Sequence, residues 1–132
     1  MTFETDQFSI SKVFSPDFVF EFPAYQRPFR WTVDDADALL DDLIAAEQFG
    51  KSDPAAGSYF IGSIVLTKRS DRRRAVVDGR QRLTTLFILL AVLRDLEPES
   101  ARKAQLHRLL ADEEDSVKRI DAGWRLRLSE ID

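Results

Sequence analysis

Ala75-Val76-Val77-Asp78-Gly79-Arg80-Gln81-Arg82-Leu83-Thr84-Thr85-Leu86 is the stretch on which the fold of this chain turns. Ala75-Val76-Val77 reads as a short strand. Asp78-Gly79 is turn chemistry. From Arg80 or Gln81 the spacing predicts a helix to about Leu96, apolar all round between Leu86 and Leu93 and therefore buried in the domain centre. A strand that turns directly into a helix presents the helix N-terminus at the strand end. Unpaired N–H groups and partial positive charge make that a natural anion site. Gly79 permits positive φ or a close ligand approach. Arg80 and Arg82 add charged donors, Gln81 a neutral donor and acceptor, and Asp78 a carboxylate suited to Mg²⁺ or to orienting a water. On the residues alone a plainer reading stays open, in which Asp78 caps the helix and the arginines are solvated.

Upstream of this turn, Tyr59 to Thr67 reads as the best strand in the chain. Its near-continuous apolar character suggests burial on both faces, and Gly62 suggests a bulge or close approach. It should pair with 75–77 as a hairpin through the basic turn Lys68 to Arg74. Before it, Gly50 to Ser58 is a loop. A helix over roughly 33–48 starts at Thr32 and Asp35 and is expected to place Val33, Ala36, Leu40, Leu43 and Ile44 inward. Asp34, Asp35, Asp37, Asp41 and Asp42 fan outward as a solvated face rather than a metal site. Ser9 or Ser11 caps a short first helix, and Phe18 to Phe22 reads as a strand ended by Pro23. Between them and the 33–48 helix, Ala24 to Trp31 has no regular period and interleaves three aromatics with two arginines.

Downstream, a helix is expected over about 99–111 with Leu106, Leu109 and Leu110 on its apolar side, followed by an acidic loop from Asp112 to Asp115. Trp124-Arg125-Leu126-Arg127-Leu128 alternates as a half-exposed strand. It lies so near the end that the chain looks cut short, with little beyond it to complete a sheet.

The 132 residues suit one domain with a genuine core. Hydrophobic residues at 44% and charged residues at 32% exclude wholesale disorder. Without cysteine there are no disulfides, thiolate zinc sites or cysteine nucleophiles. The acidic start lacks an apolar secretory region, and the longest apolar run falls far short of the ~20 residues that span a bilayer. A cytoplasmic protein with no membrane partner is expected. The net charge of −4 conceals an asymmetry. Residues 1–66 carry 11 acidic and 4 basic side chains, whereas residues 67–82 carry 7 basic and 2 acidic ones. That concentration, including Arg69, Arg72, Arg73 and Arg74, suits local binding of a polyanion such as DNA, and equally suits a solvated turn.

Val77-Asp78-Gly79-Arg80-Gln81-Arg82-Leu83-Thr84-Thr85-Leu86 closely resembles the Asp-Gly-Gln-Gln-Arg-Leu-Thr-Thr-Leu signature of the GmrSD-type restriction endonuclease N-terminal domain. Phe22 to Trp31 resembles that family's Pro-x-Tyr-Gln-Arg-x-Tyr/Phe-x-Trp box, and Tyr59 to Val65 its Phe-Leu-Gly-Ser-Ile-Val strand. The resemblance implies a ParB/sulfiredoxin-like α+β core, with a small mixed sheet and a buried central helix after the Asp-Gly turn. It also implies binding and hydrolysis of a nucleoside triphosphate with Mg²⁺, serving a type IV or modification-sensing DNA restriction system in anti-phage defence. Asp78, Arg80, Gln81 and Arg82 would then be catalytic, with Asp78 also the metal ligand. Tyr25, Gln26, Arg27, Arg30, Gly62, Ser63, Gly79, Thr84 and Thr85 would line the nucleotide.

Two departures stand out. Arg80 replaces the family's usual Gln, which removes an acceptor and adds a full charge. Family members also carry an HNH-type nuclease domain, which this chain lacks: His107 is its one histidine and has no neighbouring metal-ligand spacing. DNA cutting would therefore fall to a C-terminal domain or partner subunit, and residues 97–132 would begin the region after a core over 9–96. No P-loop and no Ser-His-Asp set is present. The competing readings are a non-catalytic ParB-like DNA-binding module and a truncated, inactive remnant.

Overall fold

In the computed structural model, residues 5–22, 31–52 and 62–128 are described. The elements are α1 (Ile10–Val13), β1 (Val19–Phe22), α2 (Val33–Ser52), β2 (Val65–Lys68), β3 (Arg73–Asp78), α3 (Arg80–Leu96), α4 (Ser100–Leu110), β4 (Ala111–Asp112), β5 (Gly123–Trp124) and β6 (Leu126–Leu128). The fold is α+β with a small mixed sheet, as the sequence suggests.

Local chemistry explains several boundaries. Ser9 accepts from the Lys12 N–H and caps α1. Thr32 and Asp35 form a reciprocal capping box at the start of α2: the Asp35 carboxylate accepts from the Thr32 N–H at 3.0 Å, and Thr32 Oγ1 accepts from the Asp35 N–H at 3.3 Å. The four-stranded sheet has the order β2-β3-β1-β6. β1 runs parallel to both β3 and β6, while β2 lies antiparallel on the edge as the expected hairpin partner of β3.

All four residues of β1 are buried, which suits a central strand. Phe20 and Phe22 join Phe14, Val76, Leu39, Leu83 and Leu86 in the core. Thus α3 enters the core with its first two turns. Further along, Phe87 and Leu90 still pack against the core while Ile88, Val92 and Leu93 are exposed, so the all-round apolar stretch is covered on one face only. No helix among the described residues is long and apolar enough to cross a membrane.

Four local expectations need correction. First, α2 buries Leu39 and not Leu40, and leaves Val33 and Ile44 exposed. Apolar residues at 39, 40, 43 and 44 span more than one face, and only docking selects among them. Second, of the strand expected over Tyr59 to Thr67, residues 59–61 lie outside the described residues and β2 covers Val65–Lys68 at the sheet edge, with Val65 41% exposed and a register shift between Val65 and Leu66. Its apolar run reflects one buried face, as Ile64 and Leu66 pack on the core. Third, Asp112 lies in β4 and is buried rather than in a solvated acidic loop. Fourth, the Trp124 to Leu128 alternation is inverted at its start: Trp124 is 53% exposed and Arg125 is 0% exposed. The chain changes sheet at Arg125, from the β4–β5 pair to β1, which β6 joins at the sheet edge.

That inversion is held by charge. Arg125 donates to Asp112, to Phe18 O at 3.3 Å and to Arg108 O at 2.9 Å, while Arg72 pairs with the other Asp112 oxygen. A buried arginine is tolerated because its carboxylate partner and several carbonyls replace water.

Candidate functional site

β3 ends at Asp78 and α3 begins at Arg80, so a single residue, Gly79, makes the strand-to-helix turn. Gly79 has φ of 93°, in the left-handed region that glycine tolerates. A Cβ there would also press on Ile64, 3.0 Å from its Cβ and 3.1 Å from its Cα. Both the conformation and the close approach therefore require glycine. Gly79 supplies no side-chain cap to α3. The carboxylate of the preceding residue compensates in part, since Asp78 Oδ1 accepts from the Gly79 N–H at 2.9 Å. Asp78 is exposed, and its second oxygen has no hydrogen bond among the described residues.

The segment before β2 completes one wall. Arg82, a turn into α3, lies against the backbone of Gly62, where φ is 146° and an added Cβ would sit 2.6 Å from Arg82 Cζ. Arg82 Nη1 also donates to Ser63 O at a long 3.4 Å. Gly62 and Ser63 thus touch Arg82 through the main chain, and Gly62 provides the space its guanidinium occupies. Sequence spacing indicates a close approach at Gly62 but not its partner.

The ends of the aromatic-arginine box reach the same helix start. Arg80 places its guanidinium 5.0 Å from the Phe22 ring centre, a cation–π contact. Trp31 donates its backbone N–H to Gln81 Oε1 at 3.1 Å. Sequence reading overlooked both anchors, because they join positions about 50 or more residues apart. Tyr25, Gln26, Arg27 and Arg30 lie outside the described residues. Thr85 donates its hydroxyl to Gln81 O at 2.8 Å, as a helical Thr often does, and Thr84 Oγ1 is enclosed with no hydrogen-bond partner among the described residues.

The basic hairpin is placed elsewhere. Arg73 pairs with buried Glu21, and Arg72 with buried Asp112 while donating to Pro16 O at 2.6 Å. Arg74 donates to the carbonyls of Ser70 and Asp71 and stacks over Phe18 at 5.3 Å. Arg69 is exposed at the turn. Internal carboxylates thus engage two of the four arginines. His107 Nδ1 accepts from Arg94 Nη1 at 3.0 Å, and its ring meets Trp124 edge-on, in a packing role.

The donor set bears on metal binding. No group of three or more His, Cys, Asp or Glu gathers among the described residues, which does not suit a cation caged by protein alone. One open carboxylate beside a helix start does suit Mg²⁺, an ion that retains waters and takes few protein ligands.

The profile of a family described as GmrSD restriction endonuclease, N-terminal domain, matches residues 10–129. No curated protein matches the chain in sequence.

Proposed function

The chain belongs to the GmrSD restriction endonuclease N-terminal domain family, and on that premise we propose that its Asp78–Arg82 turn binds and hydrolyses a nucleoside triphosphate. Family membership makes the protein a module of a DNA restriction system. Nucleotide turnover would couple it to attack on modified or foreign DNA by a separate nuclease part.

The observation that carries this reading is convergence at one helix start. The open carboxylate of Asp78, the left-handed Gly79 and the Arg82 guanidinium held by Gly62 and Ser63 meet there. The helix end favours phosphate oxygens by its dipole and its outward N–H groups. Arg82 adds a planar donor whose position is already set, so little ordering remains for binding. Arg80, supported by Phe22, adds a second positive charge near the same turn. Bound Mg²⁺ would neutralise charge on the phosphates, and Asp78 is the residue that would hold it. Catalysis is then positioning and charge stabilisation by these residues, without a covalent intermediate on the protein. Arg80 in place of Gln favours phosphate binding more directly than turnover.

Phosphate release from each of the four ribonucleoside triphosphates with Mg²⁺ tests the reading. Asp78→Ala and Arg82→Ala should each lower release by about 10²-fold, the scale for removing one preorganised stabilising group. Gly62→Ala should raise KM, because its Cβ displaces Arg82. Equal background release from all four proteins would sink the hydrolysis reading.

A further inference from the structure

A second concave site lies at the far end of the sheet. Arg74 begins β3 and Asp78 ends it, so about 13 Å of strand separates this site from the phosphate turn. A cleft of about 540 Å³ opens there among α1, the entry to β1, the β2–β3 turn and the loop carrying Lys118. That volume suits a ligand of one or two nucleotide units. Its apolar floor is formed by Phe8, Pro16, Phe18 and Ile120. Its basic residues are Lys12, Arg72, Arg74 and Lys118, against the carboxylates of Asp17 and Asp71.

The two arginines are positioned but not exhausted. The carbonyls of Ser70, Asp71 and Arg73 and the Phe18 ring hold Arg74 through Nη1, while its Nε and Nη2 make no hydrogen bond among the described residues. Arg72 is held through Nε and Nη2 by Pro16 O and Asp112, and its Nη1 makes none. Lys118 is exposed and lies within electrostatic reach of Asp17, without a close ion pair among the described residues. Lys12 is occupied by Asp17. Phe8 is 50% exposed and meets Phe18 edge-on at 5.8 Å, leaving it available to a flat partner.

We propose that this cleft binds single-stranded nucleic acid, with a phosphodiester on Arg72, Arg74 and Lys118 and a base against Phe8. Cations alone would suit any polyanion. An aromatic floor beside them selects a strand whose bases are unpaired, because the bases of a duplex are already stacked within it. The site is separate from the Asp78–Arg82 turn, and neither reading depends on the other.

Fluorescence anisotropy of a labelled oligo-dT decamer with the full chain, measured across a salt series, tests the proposal. Phe8→Ala should weaken binding at least about fivefold, the lower end for loss of one stacked base. Lys118→Ala changes an exposed side chain, and should flatten the slope of log affinity against log salt by about 0.7. Both variants should retain the wild-type thermal melt and phosphate release. Wild-type affinity in both variants overturns the proposal. So does duplex DNA binding as tightly as the single strand, or thymidine monophosphate competing as well as the decamer does.

Discussion

Replacing Asp112 by Ala would leave Arg125 fully buried with its charge uncompensated. The Asp112 side chain is 1% exposed and faces two guanidinium groups, those of Arg125 at 0% and Arg72 at 30% exposure. Arg72 can turn towards water when the carboxylate is lost. Arg125 cannot, because the carbonyls of Phe18, Arg108 and Leu109 also hold it. Breaking a buried pair in this way costs about 3–5 kcal/mol, most of it from the stranded charge. In a domain stable by roughly 5–15 kcal/mol that is a large loss. Urea unfolding followed by circular dichroism should show it as a lowered midpoint with an unchanged slope. Adding Arg125→Met removes the stranded charge at similar volume, so the double variant should be no less stable than Asp112→Ala alone. A cost below about 1 kcal/mol for Asp112→Ala, or strictly additive single costs, would refute the reasoning.

Two further outcomes follow from local geometry. Gly79→Ala should cost about 2–5 kcal/mol in the same assay, combining ~1–2 for a side chain in the left-handed region with ~1–3 for overpacking against Ile64. Ile64→Ala should recover part of that cost, and a wild-type midpoint in Gly79→Ala would contradict the turn geometry. The Lys12 hydrogen bond, then its charge, holds the Asp17 carboxyl below its usual 3.8. A depressed folded-state pKa stabilises above the unfolded value and is lost as pH falls through the folded one, so the effect lies below about pH 4. It is small, because both side chains are about half exposed. An NMR titration should show the Asp17 pKa rising towards its ordinary value in Lys12→Met, and an unmoved pKa would exclude the pairing.

The Asp78–Arg82 turn was legible to a large extent because it is contiguous. Asp78 to Arg82 share one strand end and one helix start, so composition, turn chemistry and the resemblance all indicate the same five residues. The walls of the site were not legible in the same way. Gly62 with Arg82, Phe22 with Arg80, and Trp31 with Gln81 are neighbours only after the hairpin and α3 have packed. The cleft at Phe8 and Lys118 was signalled only through the basic run that supplies Arg72 and Arg74, since its residues come from three separate stretches, 8–18, 71–74 and 118–120. The basic run was legible as charge but not as allocation: Arg72 and Arg73 are engaged by Asp112 and Glu21.

Sequence alone determined what neighbouring residues impose on one another. It set the Asp-Gly turn, the extent of α3, the Thr32–Asp35 box, the Ser9 cap and the β2–β3 hairpin. These depend on hydrogen bonds and backbone preferences spanning a few residues, which the residue types state directly. Tertiary structure decided which face of α2 docks, how little of edge strand β2 is enclosed, and why Arg125 is buried beside exposed Trp124. Each of those choices depends on what lies across the interface. An arginine can be internal only where a carboxylate and carbonyls from distant segments meet it, and no local pattern encodes that meeting.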